Sequence, residues 1–139
     1  MSAEQEITEA VQTWIAALNA MLNGDPEPFA DVYSHADDAS YMSADGTFRV
    51  GWDAIFTDWK FQAEKALGGH TEYSGLHVID GGDMAVAQYR LSVNLTGPDK
   101  EPSTASMRET SVYRREEGGW KIAAHHADDF SLWEKIVTR

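Results

Sequence analysis

Cysteine is missing from all 139 residues, which excludes disulfide scaffolding, thiol catalysis and cysteine-ligated zinc and fits a reducing compartment. Positive charge is scarce: 11 Lys and Arg face 23 Asp and Glu, a formal charge of -12. Up to Trp59 there are eleven acids and a single base, Arg49. Such a surface repels phosphate backbones and anionic lipid, so neither nucleic acid nor a membrane is expected as a partner. Nowhere do eighteen apolar residues run together, and the opening MSAEQEITEA has neither a basic region nor an apolar stretch. The expectation is a cytoplasmic protein. There is also no G-x-G-x-x-G, no Walker loop, no G-x-S-x-G and no H-E-x-x-H. Nucleotide cofactors, a serine nucleophile on a strained elbow and a helical zinc site therefore have no signal.

What is present reads as one domain over residues 1–139, with enough apolar content (42%) to bury a core. Ile7, Val11, Trp14, Ile15, Leu18, Met21 and Leu22 recur every three or four residues, the period of one buried helix face. Ser2 and Gln5 form a capping-box pair at its start, and Gly24 and Pro26 stop it. Asp25-Pro26 predicts a short second helix through Phe29, Val32 and Tyr33. A brief strand over 40–43 then leads to a turn at Asp45-Gly46. Trp52, Ile55, Phe56, Trp59, Ala63 and Ala66 predict a third helix, ended by Gly68-Gly69.

Extended stretches are predicted near 70–80, 84–95, 104–115 and 120–130, separated by Gly81-Gly82, Gly97-Pro98-Asp99 and Gly118-Gly119. Helices followed by antiparallel strands imply α+β, a curved sheet wrapped over helices.

The densest chemistry lies in 106–129. Alternation from Trp120 puts Ile122, Ala124, His126, Asp128 and Phe130 on one strand face, and its apolar start predicts that this face is buried. His126 and Asp128 would then be an imidazole and a carboxylate at a cavity, both able to move protons near neutral pH. A bulge between Ile122 and His126 would reverse the parity and turn His125 and Ala127 inward instead. Arg108 and Thr110 share one face of the preceding strand and Tyr113 takes the other; Arg108 could orient a carboxylate or polarise an oxyanion. Tyr41, Trp52, Trp59 and Trp120 are aromatics whose usual fate is core packing. Adjacent His125 and His126 point to opposite faces and cannot share an ion, so no metal is expected.

The run Arg108-Glu109-Thr110-Ser111-Val112-Tyr113-Arg114-Arg115, then Gly119-Trp120-Lys121-Ile122, then His126, resembles the last two strands of the SnoaL-like branch of the nuclear-transport-factor-2-like superfamily. Asp128 stands where that pattern has serine. The resemblance implies a cone-shaped fold in which a mainly antiparallel sheet of four to six strands wraps over three N-terminal helices. It also implies a pocket between helices and sheet, which Tyr41, Trp52, Trp59 and Trp120 would wall for a small, largely apolar molecule, and homodimers through the outer sheet face. That superfamily holds isomerases, cyclases, dehydratases and hydrolases as well as non-catalytic association modules. The expected function is a cofactor-independent acid-base enzyme using His126 or Asp128, with Arg108 or Tyr41 as donor and a small-molecule ligand. The alternative is a ligand-binding or oligomerisation module. Whichever class holds, an outer sheet face apolar enough to be covered by a second copy is expected, with Val86 or Leu91, Val93, Leu95 and Tyr113 as candidates.

Overall fold

The structure, a computed structural model, describes residues 1–96, 102–129 and 131–137. The expected turn at Gly97-Pro98-Asp99 and the placement of Phe130 lie outside the described residues.

Helix α1 (Ala3–Leu22) opens on the predicted capping box: Gln5 N donates to Ser2 Oγ while Ser2 N donates to the Gln5 side chain. All seven residues of its apolar stripe are buried, with Ala17 beside them. Burying such side chains contributes roughly 1.5–3 kcal/mol each, which sets this helix against the sheet. The second helix, α2 (Phe29–Val32), is a single turn, shorter than predicted at its start because Asp25 accepts from Glu27 N in a turn instead of capping a helix. Strands β1 (Ser40–Met42) and β2 (Phe48–Val50) join through the Asp45-Gly46 turn, and α3 (Trp52–Glu64) follows. The long strands are β3 (Gly69–Asp80), β4 (Met84–Leu95), β5 (Ser103–Glu116) and β6 (Gly119–Asp128); helix α4 (Ser131–Val137) comes last.

Six strands form one sheet in the order β2-β1-β6-β5-β4-β3. Every pairing is antiparallel except β1 with β6. The three helices α1 to α3 and the strands in chain order make the α+β architecture that the sequence implied. Gly69 is required where β3 meets β4, since a Cβ there would lie 1.8 Å from Asn94 O.

Two irregularities bend the sheet. One falls in β3 between Ser74 and His77, with Gly75 at φ 68°. The other falls in β6: Val112 faces Ala124 and Tyr113 faces Ile122, leaving Ala123 without a partner. This extra residue is a β-bulge, and it inverts the inside-outside numbering for the rest of β6.

Alternation on β4 and β5 sends odd residues to the helices. Ala85, Ala87, Tyr89, Leu91, Val93, Glu109, Ser111 and Tyr113 are buried there. Leu91, Val93 and Tyr113 therefore belong to the core, and Leu95 lines the internal cavity, contrary to the apolar outer face expected from them. Their odd numbers place them on the inner side of the pleat. On the outer face the cross-strand rows are polar: Asn94 with Thr104, Ser92 with Ser106, Arg90 with Arg108 and Gln88 with Thr110. One apolar row remains, Ile79, Val86 and Val112.

Candidate functional site

Between the helices and the concave side of the sheet lies a cavity of about 330 Å³. Leu18, Met21 and Leu22 of α1, Leu91, Val93 and Leu95 of β4, and Met107 of β5 make its apolar walls. Its polar groups are Tyr41, Gln62, Thr71, Glu109 and, on the turn after β1 and the end of α3, Ser43, Asp45 and Lys65. Along β5 the wall runs from partly exposed Ala105 and Met107 to buried Glu109, so Glu109 marks the deep, enclosed end.

Glu109 is 4% exposed and is held by groups from three elements. Its Oε1 accepts from Trp14 Nε1 at 3.1 Å and from the Tyr89 hydroxyl at 2.8 Å. Its Oε2 faces His125 Nε2 at 3.4 Å. Burial pushes the carboxyl pKa up, but the charge and hydrogen bond of His125 and the hydrogen bonds from Trp14 and Tyr89 outweigh it and hold the group below its ordinary value. Burial, with the charge of Glu109 next, pushes the Tyr89 hydroxyl well above its ordinary value, so it stays a donor.

His125, 3% exposed, pairs across the ladder with Ser111, whose Oγ lies 2.8 Å from His125 Nδ1. Because Glu109 is ionised, the ring nitrogen facing it carries a proton. In the neutral ring Nδ1 accepts the Ser111 hydroxyl proton; in the charged ring Nδ1 donates to the same oxygen. Ser111 thus serves Nδ1 whether that nitrogen accepts or donates. The order Ser111, His125, Glu109 has the sequence of roles of a hydrolytic triad. Ser111, however, is fully buried and is not among the residues that line the cavity, so it has no route to a scissile bond.

The ring of Tyr41 stacks on His125, centroids 5.7 Å apart and planes 15° off parallel. Gln62 Nε2 donates to its hydroxyl at 3.4 Å and to Asp58 Oδ2 at 2.8 Å. Burial, offset in part by Gln62 and Ser43, pushes the Tyr41 phenol up to about 12, so it too remains a donor.

Of the eight expected site residues, the cavity takes in Tyr41 alone. The bulge at Ala123 turns His126 and Asp128 to the outer face, where they border a shallow groove of about 360 Å³ with His77, Gln88, Arg90, Arg108 and Thr110. Asp128 receives both prongs of the Arg108 guanidinium, at 2.6 and 3.0 Å. This pair, led by the Arg108 hydrogen bond, keeps the Asp128 carboxyl below its ordinary value. The expectation that His126 and Asp128 share a cavity with Trp59 is therefore corrected.

The remaining tryptophans lie elsewhere. Trp59 is 1% exposed in the core against Phe29, at 4.0 Å, and Trp14, at 5.4 Å, and does not line the cavity. Trp52 is stacked between His35 and Phe56. Trp120 donates to Glu6 and lies under Arg115, beside the start of α1. The residues missed in the sequence are Glu109, Trp14 and Tyr89, while His125 and Ala127 face inward as expected for a bulge between Ile122 and His126. Tyr113 carried the usable signal, since its inward parity also turns Ser111 and Glu109 inward.

A bent, open sheet closed by helices over an internal cavity defines the nuclear-transport-factor-2-like class of α+β proteins. The SnoaL-like domain family matches residues 7–128, and the chain belongs to it. Among solved structures it is similar to a nuclear transport factor 2-like superfamily protein from Salmonella enterica (TM-score 0.79, 19% identity, 90% of this chain and 89% of that one). It is also similar to a candidate dehydratase from Streptomyces avermitilis (0.73, 20%, 90% and 94%). A third is a candidate calcium/calmodulin-dependent kinase type II association domain from Thiobacillus denitrificans (0.71, 23%, 88% and 93%). At these identities the likeness is one of fold. No curated protein matches the sequence. Among the described residues no helix is long and apolar enough to cross a membrane.

Proposed function

We propose that the protein is an acid-base enzyme of the isomerase, cyclase, dehydratase or hydrolase type, acting on a small, largely apolar molecule in the internal cavity, with Glu109 as proton acceptor and Tyr41 as donor. The observation that supports this most is a carboxylate held below its ordinary pKa at the deep end of an apolar cavity, its Oε1 filled by Trp14 and Tyr89 and its Oε2 facing, among the described residues, His125 alone. A charge so placed is costly to bury unless it is hydrogen-bonded. Apolar residues would fill the same space at less cost, which favours a use for the charge itself.

A carboxylate held below its ordinary pKa is a weak base. It removes a substrate proton only when the negative charge left behind is taken up elsewhere, and the Tyr41 hydroxyl, protonated and lining the same cavity, can donate to an oxygen where that charge gathers. The accepted proton sits on Oε2 until it returns to the product or leaves with water. His125 and Ser111 hold the acceptor in place throughout.

A screen in deuterium oxide tests this while the substrate is still unidentified. Small apolar hydroxy and oxo compounds are incubated with the protein and read by mass spectrometry for deuterium gained at carbon or for loss of water. Turnover by wild type that disappears in Glu109→Gln supports the proposal; equal turnover by the variant overturns it.

The outer sheet face is part of the proposal as a site of homodimerisation. Support for that comes from the apolar row Ile79, Val86 and Val112, of which Ile79 is 50% exposed.

A further inference from the structure

The polar groups at the deep end of the cavity also restrict what molecule can enter head first. A carboxylate offers about four lone-pair positions. Trp14 and Tyr89 fill those of Oε1, and His125 takes one of Oε2. One acceptor position remains, and the Tyr41 hydroxyl, which lines the same cavity, stands close enough to Glu109 for the carboxylate charge to help raise it.

Three head groups can be compared on this inventory. An ammonium brings three donors and a charge to be taken out of water. Beside Glu109 it finds one open carboxylate position flanked by Leu91, Val93 and Met107, which accept nothing, while Asp45 lies away on the turn after β1. A carboxylate brings only acceptors and a second negative charge beside Glu109 between apolar walls. A hydroxyl brings one donor and an acceptor oxygen, which suit the open position of Glu109 Oε2 and the Tyr41 O–H.

We infer that the cavity takes an uncharged molecule whose inward end is a single hydroxyl, a phenol, enol or alcohol, with its apolar body along Leu91, Val93 and Met107, and that it refuses carboxylates and ammonium ions. The inference rests on the proposed role of Glu109 at this site. It names the substrate class and is read by binding alone, so it stands or falls separately from turnover.

Calorimetric titration of the wild-type protein at pH 7 with four probes of one shape decides it: 4-methylphenol, toluene, 4-methylbenzoate and 4-methylbenzylammonium. The expected order places 4-methylphenol at least about tenfold tighter than toluene, the value of one hydrogen bond to a charged acceptor, with the two ions weakest. Ala105→Trp, which fills the partly exposed wall of the cavity, should remove binding of the phenol. Equal affinity for phenol and toluene, tighter binding of either ion, no binding of any probe, or phenol binding undisturbed in Ala105→Trp each overturns the inference. If phenol selectivity holds while Glu109→Gln retains turnover, the proton-transfer role fails and the ligand class remains.

Discussion

Glu109 and His125 are not opposite one another in the sheet. Glu109 faces Ala127 across the β5–β6 ladder, and its Oε2 reaches diagonally to His125 Nε2 at 3.4 Å. One residue less or more at the bulge would change which histidine arrives. The pair exists because β6 carries an extra residue at Ala123.

Removing a donor from the buried carboxylate should cost far more than removing the surface ion pair. Tyr89→Phe takes one of the hydrogen bonds from Glu109 and is expected to lower stability by about 2 kcal/mol, the penalty of underserving a buried charge. Asp128→Asn breaks a bidentate but solvent-exposed pair, and its expected cost is under about 1 kcal/mol with turnover and ligand binding unchanged. Urea denaturation of both variants checks this order; a larger loss for Asp128→Asn would reverse the assignment of inside and outside.

Histidine modification separates the two neighbours on β6. Diethyl pyrocarbonate should carbethoxylate exposed His126 and leave His125, 3% exposed, unmodified in the folded protein. Peptide mass spectrometry reads the site directly, and modification of His125 ahead of His126 would mean that the bulge is absent.

Acid should weaken the protein in part through Glu109. Its folded-state pKa lies below the ordinary 4.5, so it contributes stability that is complete above that value and is lost as pH falls through the folded pKa. The stability difference between wild type and Glu109→Gln is therefore expected to hold steady above about pH 5 and to shrink in more acid solution. A difference that grows on acidification would contradict the depressed pKa.

Assembly through the outer face predicts a particle of twice 15.4 kDa in light scattering at micromolar concentration. Val86→Lys, in the middle of the apolar row, should shift it to monomer. A wild-type mass of 15.4 kDa removes the dimer.

The architecture was largely legible in the sequence because local signals agreed with it. The capping box, the stripe on α1 and the glycine turns at Gly46, Gly82 and Gly118 each specify one short stretch, and together they specify the order of elements. The site was not legible for two reasons. At the bulge, Ile122 and Ala123 are both apolar and both buried, so no alternation marks the step at which parity changes. A lone Glu in a strand reads as a surface residue, because a buried one requires donors. Trp14, 95 positions away, and Tyr89, 20 positions away, supply them only once the chain has folded.

The ionisation of Glu109, and its contact with a bound hydroxyl, can be observed in one spectrum. In protein labelled with ¹³C at the glutamate side-chain carboxyl, the Glu109 resonance is identified by its loss in Glu109→Gln. The account predicts that this signal stays in the ionised range below pH 4.5 while the protein remains folded, and that it moves on addition of 4-methylphenol at pH 7. A Glu109 carboxyl that protonates above pH 4.5, or one that does not respond to the phenol, would contradict it.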